Sequence, residues 1–212
     1  HDFLTGIERQ IPLDQFPTYD ELYERFKVGA NNGQGLTSLE TELINQPYYT
    51  SQTTHTPRYY QRVAINRTID AIAKGQNRLL LVMATGTGKT YAAFQIVYRL
   101  LKAGHIKKVL YLADRNILVD QSIQQDFSPL SKTIHKINFA KDDPTTITSH
   151  EVYFSLYQQL TEREDDDDDD VEETISRLSK LFNPDFFDLV IVDECHRGSA
   201  KKDSSWRKIL EY

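Results

Sequence analysis

The sequence predicts an α/β fold, a mainly parallel sheet flanked by helices and preceded by a short helical linker segment. Three observations carry that prediction. The best strand candidates, LLLVM (79–83), KKVLYLA (107–113) and FDLVIVD (187–193), are apolar almost throughout, as strands buried on both faces are. Stretches with helical spacing of apolar residues separate them. The two sharpest motifs, MATGTGKT (83–90) and DECH (193–196), each follow such a strand. Ligands of open parallel sheets bind at those carboxyl ends.

The elements follow in order. Thr18 with Glu21 forms a capping-box pattern opening a helix over DELYERFK (20–27), and Thr37 with Glu40 repeats it before LETELIN (39–45). NNGQG (31–35) reads as a loop and SQTTHTP (51–57) as a polar linker. Tyr60, Val63, Ala64, Ile69 and Ile72 recur at helical spacing between Arg58 and Lys74, with Gly75 as the stop. LLLVM is the first buried strand, ATGTG the turn, and Lys89 to Lys102 a helix that Gly104 ends. A second strand lies in 107–113, followed by a helix from roughly Asn116 to Gln125. TIHKI (133–137) and TTIT (145–148) are weaker strand candidates, and EVYFSLYQQL (151–160) fits strand or helix. The Asp165–Asp170 run reads as a solvated loop. VEETISRLSKLF (171–182) has helical spacing, and 187–193 is the next strand. Residues 1–56 are expected to form a helical lead-in segment, and 57–212 an α/β lobe left incomplete at its carboxyl end.

Composition bounds the function. With 212 residues, 39% hydrophobic and 26% charged, a packed globule is expected. No apolar run reaches the length of a membrane span. HDFLTGIERQ lacks a signal-peptide pattern. The single cysteine precludes an internal disulfide and suits a reducing cytoplasm, the expected location. The net charge of −6 conceals an uneven distribution. Residues 161–173 carry −9 and residues 1–56 carry −5, which leaves the rest at +8. Such a basic body can meet nucleic-acid phosphates.

The chemistry concentrates in two places. In 83–90, Gly86 and Gly88 let the backbone curl so that N–H groups, with those of Thr85 and Thr87, face one anion. The following helix adds the positive end of its dipole. Lys89 would reach the outer phosphates of ATP, and the Thr90 hydroxyl would hold Mg²⁺. Asp193 and Glu194 stand 104 and 105 residues beyond Lys89. Asp193 can hold the same Mg²⁺, and Glu194 can orient or deprotonate an attacking water. Neighbouring strand residues point to opposite faces, but a backbone turn at the strand end would let both face one cleft. Cys195 beside His196 does not make a thiol protease, since sequence neighbours rarely form a nucleophile–base pair. His196 reads either as a relay toward nucleic acid or a second lobe, or as a plain packing histidine. Paired Cys and His at zinc-ligand spacing are absent.

Together, GTGKT and DECH resemble motifs I and II of superfamily 2 helicases and translocases, whose lobes are RecA-like P-loop NTPase folds. PRYYQ (57–61) resembles the adenine-reading Q motif, which would give Gln61 the base, with Arg58 and Tyr60 nearby. YLADRNILVDQ (111–121) resembles motif Ia, with Arg115 as the phosphate contact; a surface salt bridge is the competing reading. SLYQQL (155–160) resembles a motif Ib segment, with Tyr157 and Gln158 toward DNA; core packing of Tyr157 competes. FPTYDELYERF (16–26), ADRN and the HRG after DEC narrow the resemblance to the motor (R) subunit of type I restriction enzymes.

That resemblance implies an ATP hydrolase that translocates duplex DNA within a complex of methylation and specificity subunits. Site-specific DNA cleavage would belong to a nuclease domain of the same parent chain, and ATP would be closed in by a second RecA-like lobe. Neither is evident in this sequence. The alternatives are another superfamily 2 DNA or RNA helicase, and a non-catalytic ATP-binding module. Glu194 counts against the last, because a pure switch needs no second carboxylate beside the metal-holding Asp193.

Overall fold

The structure is a computed structural model that describes residues 6–8, 10–51, 56–113, 122–156 and 179–195. Arg115, Tyr157, Gln158, His196 and the Asp165–Asp170 run lie outside the described residues.

The described elements are a 3₁₀ turn Leu13–Gln15, helices α1 (Tyr19–Gly33), α2 (Ser38–Asn45), α3 (Tyr59–Ala73) and α4 (Lys89–Lys102), strand β1 (Val109–Ala113), a 3₁₀ stretch Ser128–Thr133, strand β2 (Ile134–Lys136), the short helix α5 (Pro144–Ile147), and strands β3 (Val152–Leu156) and β4 (Leu189–Val192). All pairings in the sheet are parallel, and its order is β2-β3-β1-β4. The α/β expectation therefore holds. The ambiguous segment 151–160 contributes the central strand β3, and every residue of β1 and β3 is buried.

Alternation along the strands builds two apolar layers. Val109, Tyr111 and Ala113 join Phe94, Val97 and Leu100 of α4 and Ile65 and Ile69 of α3 on one face. Leu110 and Leu112 join Ile137, Tyr153, Leu181 and Phe182 on the other. No described helix is long and apolar enough to cross a membrane.

Both capping boxes form: Thr18 accepts from Glu21 N–H and Thr37 from Glu40 N–H, with each Glu returning to the cap residue. The helix over 20–27 extends until Asn31 and Asn32 adopt left-handed φ of 52° and 58°, so NNGQG does break it. Gly75 ends α3 at φ 77°, its N–H donating to Ile72 O and that of Gln76 to Ala71 O.

Two strand expectations fail. TTIT lies in and after α5, because Asp143 caps Thr145 N–H and Pro144 pre-sets the first helical φ. LLLVM joins no ladder, and Leu80 and Val82 are 78% and 84% exposed. A strand buried on both faces needs hydrogen-bonded neighbours. The described sheet ends at β4, and no described strand flanks 79–83.

The lead-in segment is bolted to α4. Arg99, 2% exposed, donates from Nη2 to Leu43 O (3.0 Å) and Ile44 O (2.9 Å), and from Nη1 to Asn66 Oδ1 (2.8 Å). These carbonyls belong to the last turn of α2, where helix acceptors lack partners and a cation meets the negative dipole end. The guanidinium also lies 5.0 Å over the Tyr48 ring, and Tyr48 Oη donates to the same Asn66 oxygen. One turn earlier, buried Gln95 accepts from Tyr49 N–H (2.9 Å) and donates to Tyr49 O (3.1 Å). Arg99→Ala would strand these acceptors, so it should lower unfolding free energy by about 3 kcal/mol. Urea denaturation measures this, and a loss below about 0.5 kcal/mol would contradict the role given to Arg99.

Candidate functional site

The glycine-rich loop joins the exposed 79–82 stretch to α4. Thr87 closes it, donating from its N–H (3.3 Å) and hydroxyl (2.6 Å) to Ala84 O. Gly86 and Gly88 sit at φ 76° and 80°, left-handed values that L side chains rarely adopt. Gly88 is the N-cap of α4, so Lys89 and Thr90 occupy its first turn. Their N–H groups, with the helix dipole, suit a phosphate chain.

Gln61 of α3 reaches this loop. Its Nε2 donates to Thr87 O (2.8 Å), and its Oε1 accepts from Arg58 N–H (2.9 Å). The side chain thus caps α3 and braces the loop at once. A Cβ on Gly88 would stand 2.5 Å from Gln61 Nε2. Gln61 is itself buried, 7% exposed. Arg58 and Tyr60 meet beside it, with Nη1 donating to Oη at 3.3 Å. Thr85 and Gly86 are exposed.

The strand end of β4 supplies the carboxylates. Asp193 N–H makes the last sheet bond, to Leu112 O at 2.9 Å, and Glu194 then turns to a left-handed φ of 50°. That turn is what lets adjacent residues face one cleft. Glu194 Oε1 meets Lys89 Nζ at 2.6 Å, with the two side chains 17% and 27% exposed. Asp193 Oδ1 accepts from Glu194 N–H (2.9 Å), and its Oδ2 accepts from Tyr111 Oη (3.1 Å). Burial first, then the Asp193 charge, pushes that phenol well above its usual range, so it is a neutral donor.

The structure therefore brings Lys89, Thr90, Asp193, Glu194 and Gln61 to one place. Hydroxyl and carboxylate oxygens at Thr90 and Asp193 are the hard donors Mg²⁺ takes, and the glycine turn plus helix start fits an oligophosphate. The sequence alone gives Tyr111 a place in a strand and at the start of a motif, but no role at the site. The missed signal was a lone phenol in an otherwise apolar strand.

Comparison with known proteins shows the family and the fold. Residues 54–212 match the family described as the type III restriction enzyme, res subunit. The chain is 47% identical over 206 residues to the type I restriction enzyme EcoAI endonuclease subunit of Escherichia coli, covering 97% of this chain and 23% of that protein. It is 33% identical over 145 residues to the EcoKI endonuclease subunit of Escherichia coli strain K12, covering 66% of this chain and 12% of that one. It thus spans less than a quarter of the length of these relatives. A nuclease-deletion mutant of the type ISP restriction-modification enzyme LlaGI, solved with a DNA substrate mimic, shares the fold at TM-score 0.52 and 24% identity, over 73% of this chain and 16% of its own.

The brace between α3 and the loop generates a prediction. Gly88→Ala meets both a left-handed φ and the Gln61 amide, whereas Gly86→Ala has open space around its Cβ. The first should cost about 2 kcal/mol of stability and the second about 1. In a Gln61→Ala background the two costs should converge, as thermal unfolding would show. An undiminished gap would mean that Gln61 does not crowd Gly88.

Proposed function

The chain belongs to the restriction-enzyme res-subunit family, a branch of the superfamily 2 helicase lobes, and on that premise we propose that it is the first RecA-like lobe of a type I restriction motor. In this reading the parent R subunit hydrolyses ATP to translocate duplex DNA in the cytoplasm. It works with methylation and specificity subunits, and a nuclease domain of the same chain cuts the DNA. The observation that carries the proposal is the 2.6 Å contact between Lys89 and Glu194, which joins two motifs 105 residues apart in one cleft.

The residues divide the work as follows. The loop N–H groups and Lys89 bind the outer phosphates of ATP, and Gln61, beside Arg58 and Tyr60, meets adenine. Thr90 and Asp193 would hold Mg²⁺, which when bound neutralises charge on the β- and γ-phosphate oxygens. Phosphates compete for Lys89 and release Glu194 from it. The freed carboxylate orients a water and takes its proton as the water oxygen attacks the γ-phosphorus, and the bond to the ADP oxygen breaks. His196 relays to the DNA side or the second lobe, and Arg115, Tyr157 and Gln158 contact DNA.

ATP turnover by the intact parent polypeptide with its partner subunits tests this reading. Turnover should rise strongly only with unmethylated duplex DNA. Stimulation by RNA or single strands without need of partners would instead identify a general helicase. Lys89→Ala should weaken ATP binding at least about tenfold, and unaltered affinity would remove the phosphate role.

A further inference from the structure

Tyr111 stands at a position the proposed chemistry does not yet use. It is the middle residue of β1, 1% exposed, and pairs in register with Ile191 of β4. Asp193 lies two residues beyond Ile191, on the same face of the sheet. That face packs against α4, whose first turn carries Thr90. Sheet register thus delivers the hydroxyl to Asp193.

The ring and the hydroxyl have separable tasks. The ring stacks on Phe154 (centroids 4.9 Å, 26°) and meets Phe127 edge-on (5.6 Å, 76°). A phenylalanine would serve that box equally well. The hydroxyl adds one polar contact: it donates to Asp193 Oδ2 at 3.1 Å. A polar atom placed in so apolar a layer needs a partner, and the carboxylate supplies it.

We propose that Tyr111 is a positioning residue for the metal: its hydroxyl fixes the orientation of the Asp193 carboxylate so that it presents an oxygen lone pair to a Mg²⁺ that Thr90 would also hold. The inference rests on the reading of this cleft as an Mg²⁺–ATP site. Bonded to Tyr111, Asp193 loses the freedom to swing away from the cleft. Partners that orient metal ligands in this way commonly set affinity for the ion without touching it.

The test is Tyr111→Phe in the parent polypeptide. Three quantities are measured on wild type and variant: ATP affinity in EDTA, Mn²⁺ binding to the nucleotide complex by electron paramagnetic resonance, and the Mg²⁺ concentration giving half-maximal turnover. The variant should bind metal-free ATP within about twofold of wild type, while Mn²⁺ affinity falls and the Mg²⁺ requirement rises about tenfold. Unchanged metal dependence would overturn the proposal. So would a parallel loss of metal-free ATP affinity, which would make the phenol a general structural support. Failure of the wild type itself to bind nucleotide would instead sink the underlying site assignment.

Discussion

The ion pair between Lys89 and Glu194 is the contact on which the site depends. One partner opens α4, the other ends β4, and nothing local in the sequence joins them. Parallel pairing of β4 with β1 sets the height of the strand end, and packing of α4 on the same face of the sheet sets the height of the helix start. Their meeting at 2.6 Å reports that both placements agree. A partly exposed pair of this kind contributes little to stability by itself. Its importance is chemical: it holds a cation and a base in the cleft where the proposed phosphate and water would lie.

Around that pair the polar groups form a relay of fixed geometry. Gln61 ties the loop to α3, and Tyr111 ties β1 to Asp193. The left-handed turn at Glu194 lets two adjacent carboxylates face one cleft. Behind the site, α4 is gripped at its far end by Arg99 and Gln95, which hold backbone groups of residues 43, 44 and 49. The helix that begins at the glycine-rich loop is therefore also the helix to which the lead-in segment is fastened.

Much of this was legible in the sequence, for physical reasons that can be named. Thr18, Thr37, Gly75 and Gly104 act through their immediate neighbours, so the helix boundaries follow from local pattern. The glycine-rich loop and DECH could be picked out because residue composition and spacing define them. What escaped needed tertiary partners. LLLVM has the composition of a buried strand, yet composition cannot supply a ladder neighbour. TTIT has β-branched residues, but Asp143 and Pro144 start a helix there. Tyr111 and the Gln61 contact with Thr87 depend on register and packing, which no single stretch encodes. The roles expected of Arg115, Tyr157, Gln158 and His196 fall on residues outside those described.

The central claim is that Glu194 activates water while Lys89 serves the phosphates. Glu194→Gln in the parent polypeptide, with ATP binding and turnover measured on the same preparation, tests it most directly. The account predicts turnover lowered at least about a hundredfold, with ATP affinity kept or raised because Lys89 loses a competing charge. Turnover at the wild-type rate would contradict it.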